Sequence, residues 1–165
     1  HMDHVGVQAR AESAKLILED QGIPEETSAI LTGDFNVDQT SESYKLLDGS
    51  GIMRDSYEIA DFRYAEWTFN GFHPDRKTDS RIDHLFLTKE FEVKKYGILT
   101  DTYRSEVKES AQKEQNGNFP KEVSLSKYEA RTPSDHFPVM IVVEEKTEVL
   151  EKLVIINPVI FIKFV

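Results

Sequence analysis

Apolar residues first recur with a helical period. Val7, Ala11, Ala14 and Leu18 follow at steps of four, three and four, with Arg10, Glu12, Lys15 and Glu19 on the other faces. This predicts a helix over 7–19, stopped by Gly22 and Pro24. Residues 28–32 then read as a buried strand that runs into Gly33 and Asp34. A short helix over 40–47 takes Thr40 or Ser41 as N-cap and has Gly49 past its end; Tyr44 and Leu47 face the core. The pattern over 53–64 is mixed. Glu66-Trp67-Thr68-Phe69 is short and aromatic, Asn70-Gly71 makes a turn, and 76–80 is a polar loop. Residues 82–88 predict a strand with Ile82, His84 and Phe86 on one face and Asp83, Leu85 and Leu87 on the other. Two further strands are predicted over 94–103 and, β-branched and buried, over 137–143.

Two stretches break this pattern. Residues 104–131 are rich in charge and carry Gln115-Asn116-Gly117-Asn118; they predict a solvated insertion with a helical start at 106–113. In the tail, Leu153-Val154-Ile155-Ile156 and Val159-Ile160-Phe161-Ile162 flank Asn157-Pro158. That is either two short strands or adhesive sequence without a native partner.

At 165 residues the chain is long enough for one domain with a core. Its net charge of −10 excludes holding nucleic acid by bulk attraction; any such contact needs a local basic rim or a metal. The absence of cysteine excludes disulfides, thiolate metal sites and a cysteine nucleophile. No apolar run approaches the about 20 residues of a membrane helix. No signal peptide is visible behind His1-Met2-Asp3-His4, and the missing initial Met points to a fragment; compartment and oligomeric state are not readable.

Candidate chemistry sits at three acidic corners: Gly33-Asp34-Phe35-Asn36, Arg81-Ile82-Asp83-His84 and Ser134-Asp135-His136. In extended chain Asp34 and Asn36 point to one side, where an acid and an amide can hold a water or a metal-bound phosphate. A carboxylate holds a hard divalent cation through oxygen, a histidine donates to a phosphate, and a second carboxylate keeps that histidine oriented and protonated. Each corner also has a plainer reading. Gly-Asp opens ordinary turns, Asp83 can be a strand-end acid facing water, and Asp135-His136 can be a turn. His84 reads as a packing residue, His73 as a loop residue, and His4 is ambiguous. Trp67 and Phe69 are either a substrate rim or core.

Together and in this order, the three corners resemble the last three motifs of the endonuclease/exonuclease/phosphatase superfamily, with its DNase I-like fold. His1-Met2-Asp3-His4-Val5-Gly6 and the helix behind it are similar to the segment that precedes them. The resemblance covers residues 1–144, with the insertion at 104–131 inside it and 145–165 as a tail of unknown role. It implies an α/β four-layer sandwich, two mixed β-sheets flanked by helices, of which this chain is an incomplete C-terminal portion. It further implies a metal-dependent phosphoesterase, a nuclease or phosphodiesterase or phosphatase, using in-line attack of water on a phosphate ester.

By the same resemblance, Asp34 orients or deprotonates the water and Asn36 hydrogen-bonds phosphate or nucleophile. Asp135 helps hold Mg²⁺ (or Mn²⁺), His136 stabilises the pentavalent phosphorus, and Asp83 pairs with His136. His1 matches a phosphate-contacting histidine if it is native rather than a vector remnant. The family's early Asn and metal-binding Glu have no counterpart here. A non-catalytic truncated remnant and a binding domain of the same fold are therefore the alternatives.

Overall fold

The computed structural model describes residues 1–20, 27–64, 67–78, 80–107, 128–146 and 148–156. Helix α1 spans Val7–Asp20. Its entry is set by Asp3, whose Oδ1 accepts from the amides of Val5 at 2.7 Å and Gly6 at 2.8 Å. Ala11 and Ala14 are buried and their small size lets α1 lie against the second helix, α2 (Glu42–Asp48). Val7 was expected on that stripe but is exposed, because it stands in the first turn, ahead of the buried face. The predicted stops, Gly22 and Pro24, lie outside the described residues. Ser41 caps α2 by accepting from the Tyr44 amide at 3.2 Å, and the Gly49 amide closes the other end onto Lys45 O at 2.9 Å. A Cβ at Gly49 would fall 2.7 Å from that same oxygen, so only glycine fits.

Two sheets form the centre. In the first, β4 (Asp83–Leu87) lies between β1 (Ile30–Asp34) and β2 (Arg54–Asp55), antiparallel to both. In the second the order is β3 (Phe62–Tyr64), β5 (Phe91–Ile98), β8 (Val139–Glu145), β9 (Glu148–Ile156). The β3–β5 pair is parallel and the others antiparallel, so this sheet is mixed. Helix α3 (Ser56–Ile59) follows β2.

Every side chain of β4 is buried. On one face Phe86 joins Leu31, Tyr44, Leu47 and Met53 under the helices. On the other Leu85 and Leu87 join Phe91, Val93, Tyr96 and Ile141 of the second sheet. Helices, first sheet and second sheet are thus stacked layers of the expected α/β sandwich.

Some boundaries differ from expectation. The strand predicted over 94–103 starts earlier, at Phe91, and stops at Ile98, opposite Val139. Pro138 has no amide with which to continue that ladder, and the chain leaves it after Leu99 donates to the Pro138 carbonyl. The expected insertion opens as an exposed hairpin, β6 (Tyr103–Glu106) with β7 (Tyr128–Arg131), so Glu106 is strand rather than helix. The rest of the predicted helical start, from 108, lies outside the described residues. The first apolar run of the tail has a partner: it lies in the strand Glu148–Ile156, paired along β8, while the second run, 159–162, lies outside the described residues. No described helix is long and apolar enough to cross a membrane.

Candidate active site

The first sheet puts two acids side by side. In the β1–β4 register Asp34 stands opposite Asp83, at the strand ends where Phe35 N still donates to Ile82 O at 2.9 Å. Opposed carboxylates weaken a sheet. Both are buried, at 7% and 5% exposure, so burial adds to the cost of keeping them ionised. A charge partner is needed, and the second sheet supplies it. His136 sits just before β8, and its Nδ1 lies 2.7 Å from Asp83 Oδ2. Its Nε2 is 3.9 Å from Asp34 Oδ2. Asp83 Oδ1 is buried with no hydrogen-bond partner among the described residues.

The chain after β1 folds back on itself. Asn36 has a left-handed backbone, φ 53°, and its amide donates to Asp34 Oδ1 at 2.8 Å. Asn tolerates that conformation because its short side chain bonds locally. The extended-chain argument for Asp34 and Asn36 therefore fails in detail, although the two still meet. Asn36 Nδ2 donates to Met2 O at 2.9 Å and lies 3.3 Å from His1 Nε2. His1 Nε2 is in turn 3.3 Å from Asp34 Oδ2, and Met2 N donates to Asp34 O at 2.9 Å. Residues His1, Asp34, Asn36, Asp83 and His136, far apart in sequence, thus meet at one corner.

Asp135 is placed differently from the others. Among the described residues, the acidic and imidazole groups with ligand atoms within 4.8 Å of one another are Asp34, Asp83 and His136, and Asp135 is not among them. Its carbonyl oxygen accepts from the amides of Asn70 at 2.8 Å and Gly71 at 3.0 Å, and its charge acts on His136. His84 is a packing residue, wedged between the rings of Phe35 and Tyr44 with Nε2 donating to Val37 O at 2.8 Å. His4 and His73 are exposed. Phe69 is part of the corner: it bridges to His136 through the backbone and sets its ring edge-on at 5.3 Å. Thr68 and Asn70 beside it are fully buried. From sequence, the aromatic residues of this segment stand out as rim or core and Asn70-Gly71 as a turn, while Thr68 and the Asn70 side chain are given no part in the site. The alternation of Thr and Asn with aromatics was the available signal.

The charges respond as the geometry requires. Burial pushes the Asp34 carboxyl above its usual 3.8, opposed by the Asn36 amide and helped by Asp83. The Asp83 hydrogen bond raises His136 above 6.5 against the effect of burial, with the charges of Asp34 and Asp135 adding to it. A histidine whose folded pKa is raised contributes stability that is full below its unfolded value and is lost as pH rises through the folded one. For Asp34 the folded state likewise holds the proton more tightly, so its effect runs in the same direction. We expect the urea midpoint of the metal-free protein to fall as pH rises above the ordinary histidine value of 6.5. Asp83→Asn should flatten that slope; an unchanged slope would show that His136 and Asp83 are not coupled.

Comparison with known proteins follows the same outline. The profile of the endonuclease/exonuclease/phosphatase family matches residues 3–136. Among solved structures, the chain is similar to an endonuclease/exonuclease/phosphatase family protein of Bacteroides thetaiotaomicron, with 50% identity and a TM-score of 0.71 over 87% of this chain and 47% of that one. It is also similar to a mannosyl-6-phosphatase of Bacteroides thetaiotaomicron VPI-5482, at 50% identity and a TM-score of 0.70, covering 87% and 48%. A Bacteroides vulgatus endonuclease/exonuclease/phosphatase follows at 29% identity and a TM-score of 0.61, covering 88% and 47%. The chain spans about half the length of these structures. No curated protein matches it.

Proposed function

Since the chain belongs to the endonuclease/exonuclease/phosphatase family, we propose that the corner of Asp34, Asp83 and His136 is hydrolytic machinery acting on a small phosphate ester. The observation that carries this reading is the 2.7 Å His136–Asp83 bond, aimed so that the other ring nitrogen faces Asp34. One imidazolium edge is fixed by an acid and the other is offered to a second acid or to a substrate oxygen.

Each residue then has a part. Asp34 takes or orients the proton of the attacking water, and its raised pKa brings it nearer the working pH of a general base. His136, held protonated, donates through Nε2 to the phosphoryl oxygens as negative charge grows on them. Asp83 fixes the ring and its tautomer. Asn36 Nδ2 and His1 reach the same corner and contact phosphate. The donor set fits a hard divalent cation, Mg²⁺ or Mn²⁺: Asp34 and Asp83 would supply oxygens, and Asp83 Oδ1 is a buried acceptor with no partner among the described residues. When bound, such a cation neutralises charge on the phosphoryl group. Attack in line with the leaving oxygen is the route open to such a set.

Two facts favour a small substrate, of the sugar-phosphate kind, over a long nucleic acid. One is the 50% identity to a mannosyl-6-phosphatase. The other is the net charge of −10, which repels a polyanion. Phosphate release from mannose 6-phosphate and cleavage of duplex DNA, each with Mg²⁺, test this. We expect the monoester to be turned over at least about tenfold faster, and EDTA to remove that turnover. Faster DNA cleavage would overturn the substrate class. Binding of the sugar phosphate without turnover, unaffected by EDTA, would favour the binding-domain reading.

A further inference from the structure

We propose that Thr68 and Asn70 are positioning residues for the Asp83–His136 pair, together clasping the two sheets from which that pair is drawn. Asp83 opens β4 in the first sheet and His136 precedes β8 in the second, 53 positions later. Nothing in either sheet's own ladder sets the distance between them. The segment 68–70 does. Thr68 Oγ1 accepts from the amides of Ile82 at 3.0 Å and of Asp83 itself at 3.2 Å. The carbonyl of Thr68 accepts from Phe137 N, next to His136, at 2.7 Å. One residue therefore holds the backbone on both sides of the pair.

Asn70 completes the hold on the histidine loop. Its amide donates to Asp135 O, and its Nδ2 donates to Ser134 O at 3.1 Å. Its Oδ1 accepts from Phe72 N at 2.8 Å and from Thr132 Oγ1 at 3.2 Å. Both residues have zero exposure. If this segment were only core, valine and leucine would fill the space without the penalty of burying a hydroxyl and an amide. The polar groups are kept, and their partners are the backbone at Asp83 and around His136. A bond of 2.7 Å does not survive a shift of about 1 Å in either partner.

The effect on turnover rests on the hydrolytic reading above; the positioning itself does not. The readout is therefore the His136 Nδ1 proton in NMR of the labelled 165-residue chain, slowed in exchange by its bond to Asp83. We expect it in the unaltered protein and in Thr68→Ser, which keeps the hydroxyl. It should be lost in folded Thr68→Val and in Asn70→Ser. Val93→Ala, in the core of the second sheet away from the corner, should lower stability and keep the resonance. In hydrolysis, Thr68→Val should lower kcat by about tenfold with KM changed less than about twofold, and Thr68→Ser should restore it.

If Thr68→Val does not fold, Asn70→Ser decides, since it leaves the backbone bonds to Asp135 in place. Retention of the resonance in the folded variant, or its absence from the unaltered protein, overturns the positioning role whatever the activity. A lost resonance with unchanged hydrolysis supports the clasp and overturns the catalytic reading of the pair.

Discussion

Replacing Asp34 or His136 by alanine is expected to lower phosphate-ester hydrolysis by at least about 100-fold. The two losses have different causes and should be separable. On the hydrolytic reading proposed above, Asp34→Ala removes the acid assigned to the attacking water, and it also removes one of two carboxylates opposed across the β1–β4 ladder. Because Asp34 is held above its usual pKa by burial, its ionised form works against folding at neutral pH. Asp34→Asn should therefore leave the urea midpoint unchanged or raised while activity falls. A residue kept at a cost to stability is kept for chemistry.

His136→Ala has the opposite signature. It leaves Asp83 buried beside Asp34 with its counter-charge gone, so activity and stability should fall together. Steady-state kinetics beside urea melts resolve the two cases. Unaltered kcat/KM in either folded variant would remove that residue from the mechanism.

That Asp34 and Asp83 meet was legible because both sit where patterns change. An apolar run ending in Gly33-Asp34, and an alternating strand starting at Asp83, both mark strand ends, and antiparallel pairing of those strands brings the acids together. What was not legible depends on groups that have no pattern. The Asp135 carbonyl holds the Asn70 turn, yet any residue at 135 has a carbonyl, so no residue type announces that contact. Asn36 reaches Asp34 through a left-handed turn that residue type permits but does not announce. Thr68 and Asn70 were hidden among aromatics whose size drew the reading toward core or rim. The apolar run at 153–156 allowed a strand, but that it pairs along the edge of β8, and that the strand begins at Glu148, are tertiary facts its own pattern could not express. The stretch 53–64 stayed mixed because β2, α3 and β3 are each too short to show a period.

That same stretch hides a buried acid at the end of β2, and Asp55→Ala is expected to cost about 3–5 kcal/mol. Asp55 is fully buried at the end of β2. Its Oδ2 accepts from Arg81 Nη1 at 2.5 Å and from Tyr44 OH at 2.7 Å, with His84 Nδ1 3.7 Å away. Burial works against its charge, but His84, Arg81 and Tyr44 outweigh that and hold the carboxyl at about 2. Its contribution is thus present above the unfolded value of 3.8 and is lost only as pH falls through about 2. Arg81, at 3% exposure, lies over the Tyr57 ring at 4.2 Å and has a second, longer contact to Glu58 at 3.5 Å. Removing Asp55 leaves a buried guanidinium and a buried phenol without their acceptor, which is where the cost arises. Against a total stability of about 5–15 kcal/mol, that can unfold the chain. Arg81 is two residues from Asp83, so the corner should fail with the sheet. Urea unfolding of Asp55→Leu, Arg81→Met and the double variant checks the cause. The double variant should be less destabilised than the sum of the singles, because it leaves no unpaired charge. Additive losses, or a loss under about 1 kcal/mol in Asp55→Ala, would mean that packing and not the buried pair secures this side of the sheet.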